Sequence, residues 1–184
     1  MLGEIRRTFG LLLGAFFLSL FVGTAWAVAD TSTVGKLVER IAQSIGTLSP
    51  SPFQNFLRIF LHNTTVAAMV TLSGLFFGIG PWLMVGFNGL VVGIVVGYFG
   101  RKGFPLEKIA LALVPHGVVE IPAFILAGTG GILWYREIRR AENPGHGFKK
   151  GMKVALKLYL VSVAMLLLAA FIEAYITPKV AGIG

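Results

Sequence analysis

The strongest constraint on this chain is a series of apolar runs, each close to the length that crosses a lipid bilayer. A spanning α-helix needs about 20 apolar residues, because each residue advances only about 1.5 Å. Inside hydrocarbon the backbone must satisfy its own hydrogen bonds, which a helix does. The sequence therefore predicts one membrane domain, 1–184, that is an all-α, polytopic transmembrane helical bundle of about five spans. The predicted spans are 1–29, 63–80, 81–99, 107–134 and 153–176.

The composition supports this class of protein. Apolar residues make up 55% of the chain and charged residues 13%, whereas soluble domains average about 25% charged residues. The net charge of +8 could suggest nucleic acid, but the basic residues flank apolar spans, as membrane insertion requires. We therefore expect the lipid bilayer as a partner and no nucleic acid. The absence of cysteine excludes disulfides and cysteine metal sites.

The first apolar run also resembles a secretory signal. Arg6 and Arg7 precede it, and Ala25-Trp26-Ala27 near its end has the small-residue pattern of a cleavage site. Signal peptides have apolar regions of about 7–15 residues, and this run is long enough to span a bilayer. We predict a retained first transmembrane helix.

The segment between the first two spans, 31–62, is amphipathic. Two prolines, Pro50 and Pro52, divide it. We expect one or two helices that lie on the membrane surface or cap the bundle on one side. The apolar stripe of the first half consists of Val34, Leu37, Val38, Ile41, Ile45 and Leu48.

The fourth span carries ionisable residues in the middle of an apolar run. His116 and Glu120 are four residues apart, so they share a helix face. A charged group at mid-membrane costs about 2.5–3.5 kcal/mol on insertion scales, so such residues usually face other helices or a cavity. Pro115 and Pro122 each remove a backbone donor. They predict a proline-broken span that either crosses fully or re-enters.

Asn63 and Asn88 are the expected partners of this pair, since each lies in another span. We predict a buried polar cluster with three open interpretations: a structural lock between helices, a proton or ion relay, or part of a metal or hydrolytic site. One histidine and one glutamate fall short of the three protein ligands of catalytic zinc. His62 could supply a third ligand only by reaching inward. We therefore expect no catalytic residues, metal or cofactor.

Glycines at four-residue spacing predict close helix packing, either within the chain or across a dimer interface. They are Gly74, Gly78, Gly89, Gly93 and Gly97.

Basic residues concentrate between the last two spans. Short basic loops near span ends stay on the cytoplasmic side, so we predict a cytoplasmic amino terminus and an outer carboxyl terminus in the cell membrane. The loop could also contact anionic lipid heads. Its candidate residues are Arg136, Arg139, Arg140, Lys149, Lys150 and Lys153.

Several motifs together resemble one known family. They are Asn63, Gly-Ile-Gly-Pro at 78–81, Phe-Asn-Gly at 87–89 and Val-Pro-His-Gly-Val-Val-Glu-Ile-Pro-Ala at 114–123. The chain resembles the stage II sporulation protein M family (DUF95) over about residues 55–178. The resemblance implies a multi-span membrane protein. It marks His116, Glu120, Pro115, Pro122, Asn63 and Asn88 as signature residues without established chemistry.

In sporulating bacteria, the member of the family that this chain resembles anchors peptidoglycan-degrading partners in the membrane. The resemblance therefore favours a non-enzymatic membrane scaffold that self-associates, with a dimer favoured, or binds envelope proteins. The alternative is a small transporter or permease with a His116–Glu120 relay. A third hypothesis is an intramembrane metalloenzyme.

Overall fold

Helices account for the architecture of the computed structural model, which describes residues 1–45 and 49–182. No strand occurs in this part of the chain, so the all-α prediction is confirmed. The helices are α1 (Leu2–Ala29), α2 (Thr31–Ile45), α3 (Pro52–Ser73), α4 (Gly80–Arg101), α5 (Leu106–Arg140) and α6 (Pro144–Phe171), followed by a π-helical turn (Ile172–Ile176) and α7 (Thr177–Ala181).

The predicted multi-pass membrane class is also confirmed. Within the described residues, four helices are long and apolar enough to cross a membrane: Leu2–Ala29, Gly80–Arg101, Leu106–Arg140 and Pro144–Val180. The helix α3 does not reach the same apolarity, because it carries Arg58, His62 and Asn63. It nevertheless packs along α5 and α6 as part of the same bundle.

Contacts between residue pairs fix the directions of the helices. The main chain of α1 approaches α4 first at Gly89, then at Gly93, then at Gly97, each time four residues further along α1. The helices α1 and α4 therefore run parallel. By contrast, α5 and α6 form an antiparallel pair, in which Gly151 lies against Trp134 and Gly130 against Ala155.

The helix α3 runs in the same direction as α5. The Thr71 hydroxyl donates to the Ala127 carbonyl at 3.1 Å, and three residues later Gly74 packs on the main chain of Gly131. Four helices, α1, α3, α4 and α5, contribute to a common apolar core, which consists of Leu12, Phe16, Val70, Val85, Ile125 and Ile132.

The helix of the second predicted span has different bounds from the predicted 63–80. Ser51 caps the helix, Pro52 occupies its first turn, and it continues to Ser73. The part of the amphipathic segment that follows Pro52 thus forms the first turns of α3. The chain then turns before Gly80, with Phe77 at φ 53° and Gly78 at φ 71°.

The helix α2 supports the capping interpretation of segment 31–62. Val34 and Val38 are buried against Ile94 of α4 and Ala27 of α1. The predicted apolar stripe also includes Ile41 and Ile45, whose side chains lie outside the described part of the chain, as does all of Leu48.

The predicted break in the fourth span is wrong. The helix α5 is continuous for 35 residues, with Pro115 and Pro122 inside it. Membrane helices tolerate proline where neighbouring elements compensate for the lost backbone hydrogen bond. Here α5 packs against α1, α3, α4 and α6, and its buried residues begin at Ala123, directly after the second proline.

The glycine prediction resolves in favour of packing within the chain. A Cβ atom at Gly89, Gly93 or Gly97 would overlap the main chain of α1, and one at Gly74 would overlap α5. Gly78 is an exception, because it lies in the turn before α4 with a positive φ. It supplies a turn conformation and not a helix-packing surface.

Candidate functional site

Three ionisable side chains meet inside the helical bundle. His116 and Glu120 of α5 lie beside Glu173 of the π-helical turn, and one potential ligand atom from each lies within 4.8 Å of the others. All three residues are partly buried. The predicted pairing of His116 with Glu120 on one helix face is therefore present, and Glu173 is the partner that sequence reasoning missed.

The π-helical turn explains why Glu173 reaches this position. A π turn holds an extra residue within one helical turn, changes the direction of the following side chains, and is frequent at functional sites. Tyr175 in the same turn stacks on Phe171 with ring centroids 4.9 Å apart and lies 6.5 Å from the ring of Phe56. These aromatic contacts fix the turn against α3.

One nitrogen in the cluster is shielded from solvent without a partner. Among the described residues, the Nδ1 atom of His116 has no hydrogen bond, and the hydroxyls of Thr64 and Thr177 share this condition. A buried polar atom without a partner costs about 1–3 kcal/mol. Such an atom in a native protein often marks a bound water, ion or ligand.

The predicted asparagines lie near the cluster but do not complete it. The structure shows no hydrogen bond from Asn63 or Asn88 to His116 or Glu120 within the described residues. Asn63 is buried. Both asparagines instead line a cavity of about 430 Å³ between α3, α4 and α5, which Glu120 also lines.

His62 is not the third potential metal ligand. Its side chain is exposed on α3 and lines the same 430 Å³ cavity, outside the group formed by His116, Glu120 and Glu173. The alternative set of His116, Glu120 and His62 is therefore corrected to one with Glu173. A signal was available, since a carboxyl group within an apolar span usually has a functional partner.

A larger apolar cavity, called the cleft below, opens beside the cluster. It has a volume of about 650 Å³ and lies between α1, α4 and the first half of α5. Its polar lining consists of Asn88, His116 and Glu120. Its apolar lining includes Leu13, Phe17, Leu20, Val92, Ile109 and Val118.

Basic residues gather at the end of the bundle where the chain begins. Arg136 donates to the Thr8 hydroxyl at 2.9 Å, and Arg140 forms an ion pair with Glu4. Together with Arg139 they line a pocket of about 460 Å³ that also contains aromatic side chains. Three of the predicted lipid-head residues therefore share one pocket. Lys149, Lys150 and Lys153 are exposed on α6, and Lys150 pairs with Glu137 at 2.7 Å.

The chain is similar to known proteins of one archaeon. An uncharacterized protein of Methanocaldococcus jannaschii, MJ0793, is 33% identical over 132 residues, which is 69% of this chain and 73% of that protein. A second from the same organism, MJ0706, is 31% identical over 142 residues, or 74% of this chain and 62% of that protein. No solved structure matches.

The family comparison confirms the resemblance found in the motifs. The family model for stage II sporulation protein M matches residues 11–178. The match is longer than the motif-bearing region and takes in most of α1 as well as α2. The chain therefore belongs to the stage II sporulation protein M family.

Proposed function

We propose that the chain is a small membrane transporter or permease for amphipathic, lipid-like molecules, and that the cleft is its substrate site. The observation that carries this proposal is the shape and lining of the cleft. It offers about 650 Å³ of mostly apolar space with three polar side chains in its lining. Ligand sites are typically apolar cavities of about 300–1,000 Å³ with a few polar groups that orient the ligand.

The position of the cleft suits a substrate that arrives from the bilayer. Val114 and Val118 of α5 line the cleft and are 54% and 66% exposed. In a membrane their exposed surfaces face lipid chains, so an acyl chain could enter sideways. A polar head inside hydrocarbon is costly unless it finds polar partners. Asn88, His116 and Glu120 provide such partners within the cleft.

Movement of a labelled phospholipid between leaflets tests this proposal. Vesicles that contain the purified chain and a phospholipid with a nitrobenzoxadiazole group are treated with dithionite, which bleaches only the outer leaflet. We expect bleaching of both leaflets with the wild-type chain. Replacing Gly117 by tryptophan should reduce this movement at least tenfold, because the indole fills the cleft.

Gly117 tolerates a side chain at its own position, since the nearest atom to an added Cβ is the Ile121 Cδ1 atom at 3.8 Å. The matched control is Leu160→Trp, an exposed position on α6 that does not line the cleft. Equal lipid movement in the two variants would contradict the cleft as the substrate path. If dithionite bleaches only the outer leaflet of vesicles that contain the wild-type chain, transport of phospholipids is contradicted.

The second candidate function is a non-enzymatic membrane scaffold that self-associates or binds envelope proteins. The scaffold function is favoured by the exposed face of α5 at Val114 and Val118, because a second copy packed there would cover the open side of the cleft. The packing of Gly89, Gly93 and Gly97 against α1 removes those glycines as a dimer surface. The dimer surface we propose is the exposed face of α5 at Val114 and Val118.

Cysteine cross-linking tests the scaffold proposal, and the chain contains no native cysteine. We expect Val114→Cys in membranes to form a disulfide-linked dimer under mild oxidation if two copies meet along α5. Leu160→Cys, equally exposed on α6, is the control. Monomer alone for Val114→Cys, or the same dimer fraction for both variants, would count against a specific dimer at this face.

A further inference from the structure

We propose that His116, Glu120 and Glu173 bind a divalent transition-metal ion within the membrane. This site goes beyond the proposed transport role and does not depend on it, because a metal can bind at equilibrium whether or not a lipid moves. The proposal stands on three observations. They are the convergence of three ligand groups, the unpartnered nitrogen of His116 and the π-helical turn that brings Glu173 to the cluster.

The distances suit a single ion. Zinc bonds of about 2.0–2.2 Å in a tetrahedral arrangement place neighbouring ligand atoms about 3.4 Å apart. The ligand atoms of the three residues already lie within 4.8 Å of one another. Rotation about the flexible glutamate side chains can supply the remaining ångström or so. The two ligands of α5 lie one helical turn apart on the same face, and Glu173 approaches from the π-helical turn that follows α6.

The charges point in the same direction. Two carboxylates this close repel one another strongly in a low-dielectric interior. The ion pairs of Arg140 with Glu4 and of Lys150 with Glu137 lie elsewhere in the bundle, so neither neutralises this cluster. A divalent cation would balance both carboxylates. The unpartnered Nδ1 of His116 would become a ligand or find its partner in a metal-bound water.

The ligand set selects among metals. One imidazole and two carboxylates suit zinc, iron or manganese, whereas calcium and magnesium prefer sites made only of oxygen. Zinc binds such mixed sites more tightly than manganese does. Three protein ligands leave a fourth position for water. Because His116 and Glu120 also line the cleft, the proposed ion would lie beside that cavity.

Cobalt titration of the full-length chain tests the site. The chain is purified in detergent, stripped with a chelator and titrated with Co²⁺, whose visible absorption reports coordination by nitrogen and oxygen. We expect one Co²⁺ per chain, displaced by one Zn²⁺. Glu173→Gln, Glu120→Gln and His116→Gln should each weaken binding at least about tenfold, as the loss of a metal-site residue does.

The controls use ionisable residues of the same types outside the cluster. His62→Gln on α3 and Glu107→Gln at the start of α5 are exposed and should bind Co²⁺ like the wild type. Helix content and elution volume identify any variant that fails to fold. In that event the wild-type stoichiometry still decides, because a wild-type chain without a tight Co²⁺ site overturns the proposal.

Two further outcomes decide the identity of the ligands and the independence of the site from transport. Unchanged affinity in the folded Glu173→Gln variant overturns the assignment of the ligands. Wild-type protein that binds Co²⁺ but moves no lipid supports the metal site and contradicts the transport proposal. Wild-type protein that moves lipid but binds no Co²⁺ supports transport and contradicts the metal site. The two proposals can therefore fail independently.

Discussion

Replacing Gly93 by leucine is expected to push α1 away from α4 and to destabilise the helical bundle strongly. A Cβ atom at Gly93 would overlap the main-chain carbonyl oxygen of Leu20. Extra atoms in a packed core cost about 1–3 kcal/mol when side chains can move aside. Here the obstacle is backbone, so the whole helix would have to shift. We expect a loss of at least about 3 kcal/mol of stability, seen as a lower melting temperature and aggregation in detergent.

Gly14→Leu is the matched control for this prediction. Gly14 lies on α1, and an added Cβ would meet no atom within 4 Å. Both changes replace a helical glycine by leucine, and this replacement favours the helix by up to about 1 kcal/mol. Intrinsic helix propensity therefore cannot explain a difference between the two variants. Gly14→Leu should melt at or above the wild-type temperature. Similar melting of the two variants would show that α1 and α4 are not closely packed at Gly93.

The parallel packing of α1 on α4 shows both the reach and the limit of sequence reasoning. Four-residue glycine spacing predicts that Gly89, Gly93 and Gly97 face a close neighbour. It does not identify the neighbour, because leucine and phenylalanine of α1 would present the same apolar surface to lipid or to a second copy. The three-dimensional packing supplies that information, and it assigns these glycines to an interface within the chain.

The polar cluster is partly predictable for a similar reason. The i to i+4 spacing of His116 and Glu120 fixes their common face through helix geometry alone. Glu173 cannot be placed in this way, since the π-helical turn changes the register of its side chain relative to α6. The sequence also predicts the asparagines as partners of the pair. They instead line a cavity next to Glu120.

The bounds of α3 illustrate a third limit. The Ser-Pro repeats before residue 53 predict a break between two helices, and α2 does end before them while α3 begins at Pro52. The difference is that α3 does not stop as a short surface helix but continues to Ser73. Serine as a cap followed by proline in the first turn is a start signal as well as a break. The length of the helix that starts there depends on packing with distant parts of the chain. The helix α3 continues along α5 and α6, and near its end Thr71 donates to the Ala127 carbonyl.

Cysteine labelling of the chain ends is expected to give a nearly all-or-none result. Leu2→Cys and Lys179→Cys each introduce a single thiol into a chain without cysteine, and both positions are exposed. A membrane-impermeant maleimide should label the cysteine at 179 in intact cells. It should label the cysteine at 2 only after the membrane is permeabilised.

Two structural features support this expectation. The first is the parallel direction of α1 and α4, which requires the chain to return between them. The helix α3, with 22 residues, is long enough to make that return, and we expect an odd number of crossings. The second is the basic end of the bundle, where Arg136 binds Thr8 and Arg140 pairs with Glu4. Positive span ends tend to remain in the cytoplasm, so we expect the amino terminus on that side.

A third position makes the labelling result decisive. Glu142 follows α5 in an exposed turn and lies at the same end of the bundle as the Glu4–Arg140 ion pair. Glu142→Cys should therefore always be labelled together with Leu2→Cys. If the cysteines at 2 and 179 share one side of the membrane, α3 does not cross. If all three positions label in the reverse pattern, the bundle is intact but inverted, and the basic residues serve lipid or partner contacts instead of setting orientation.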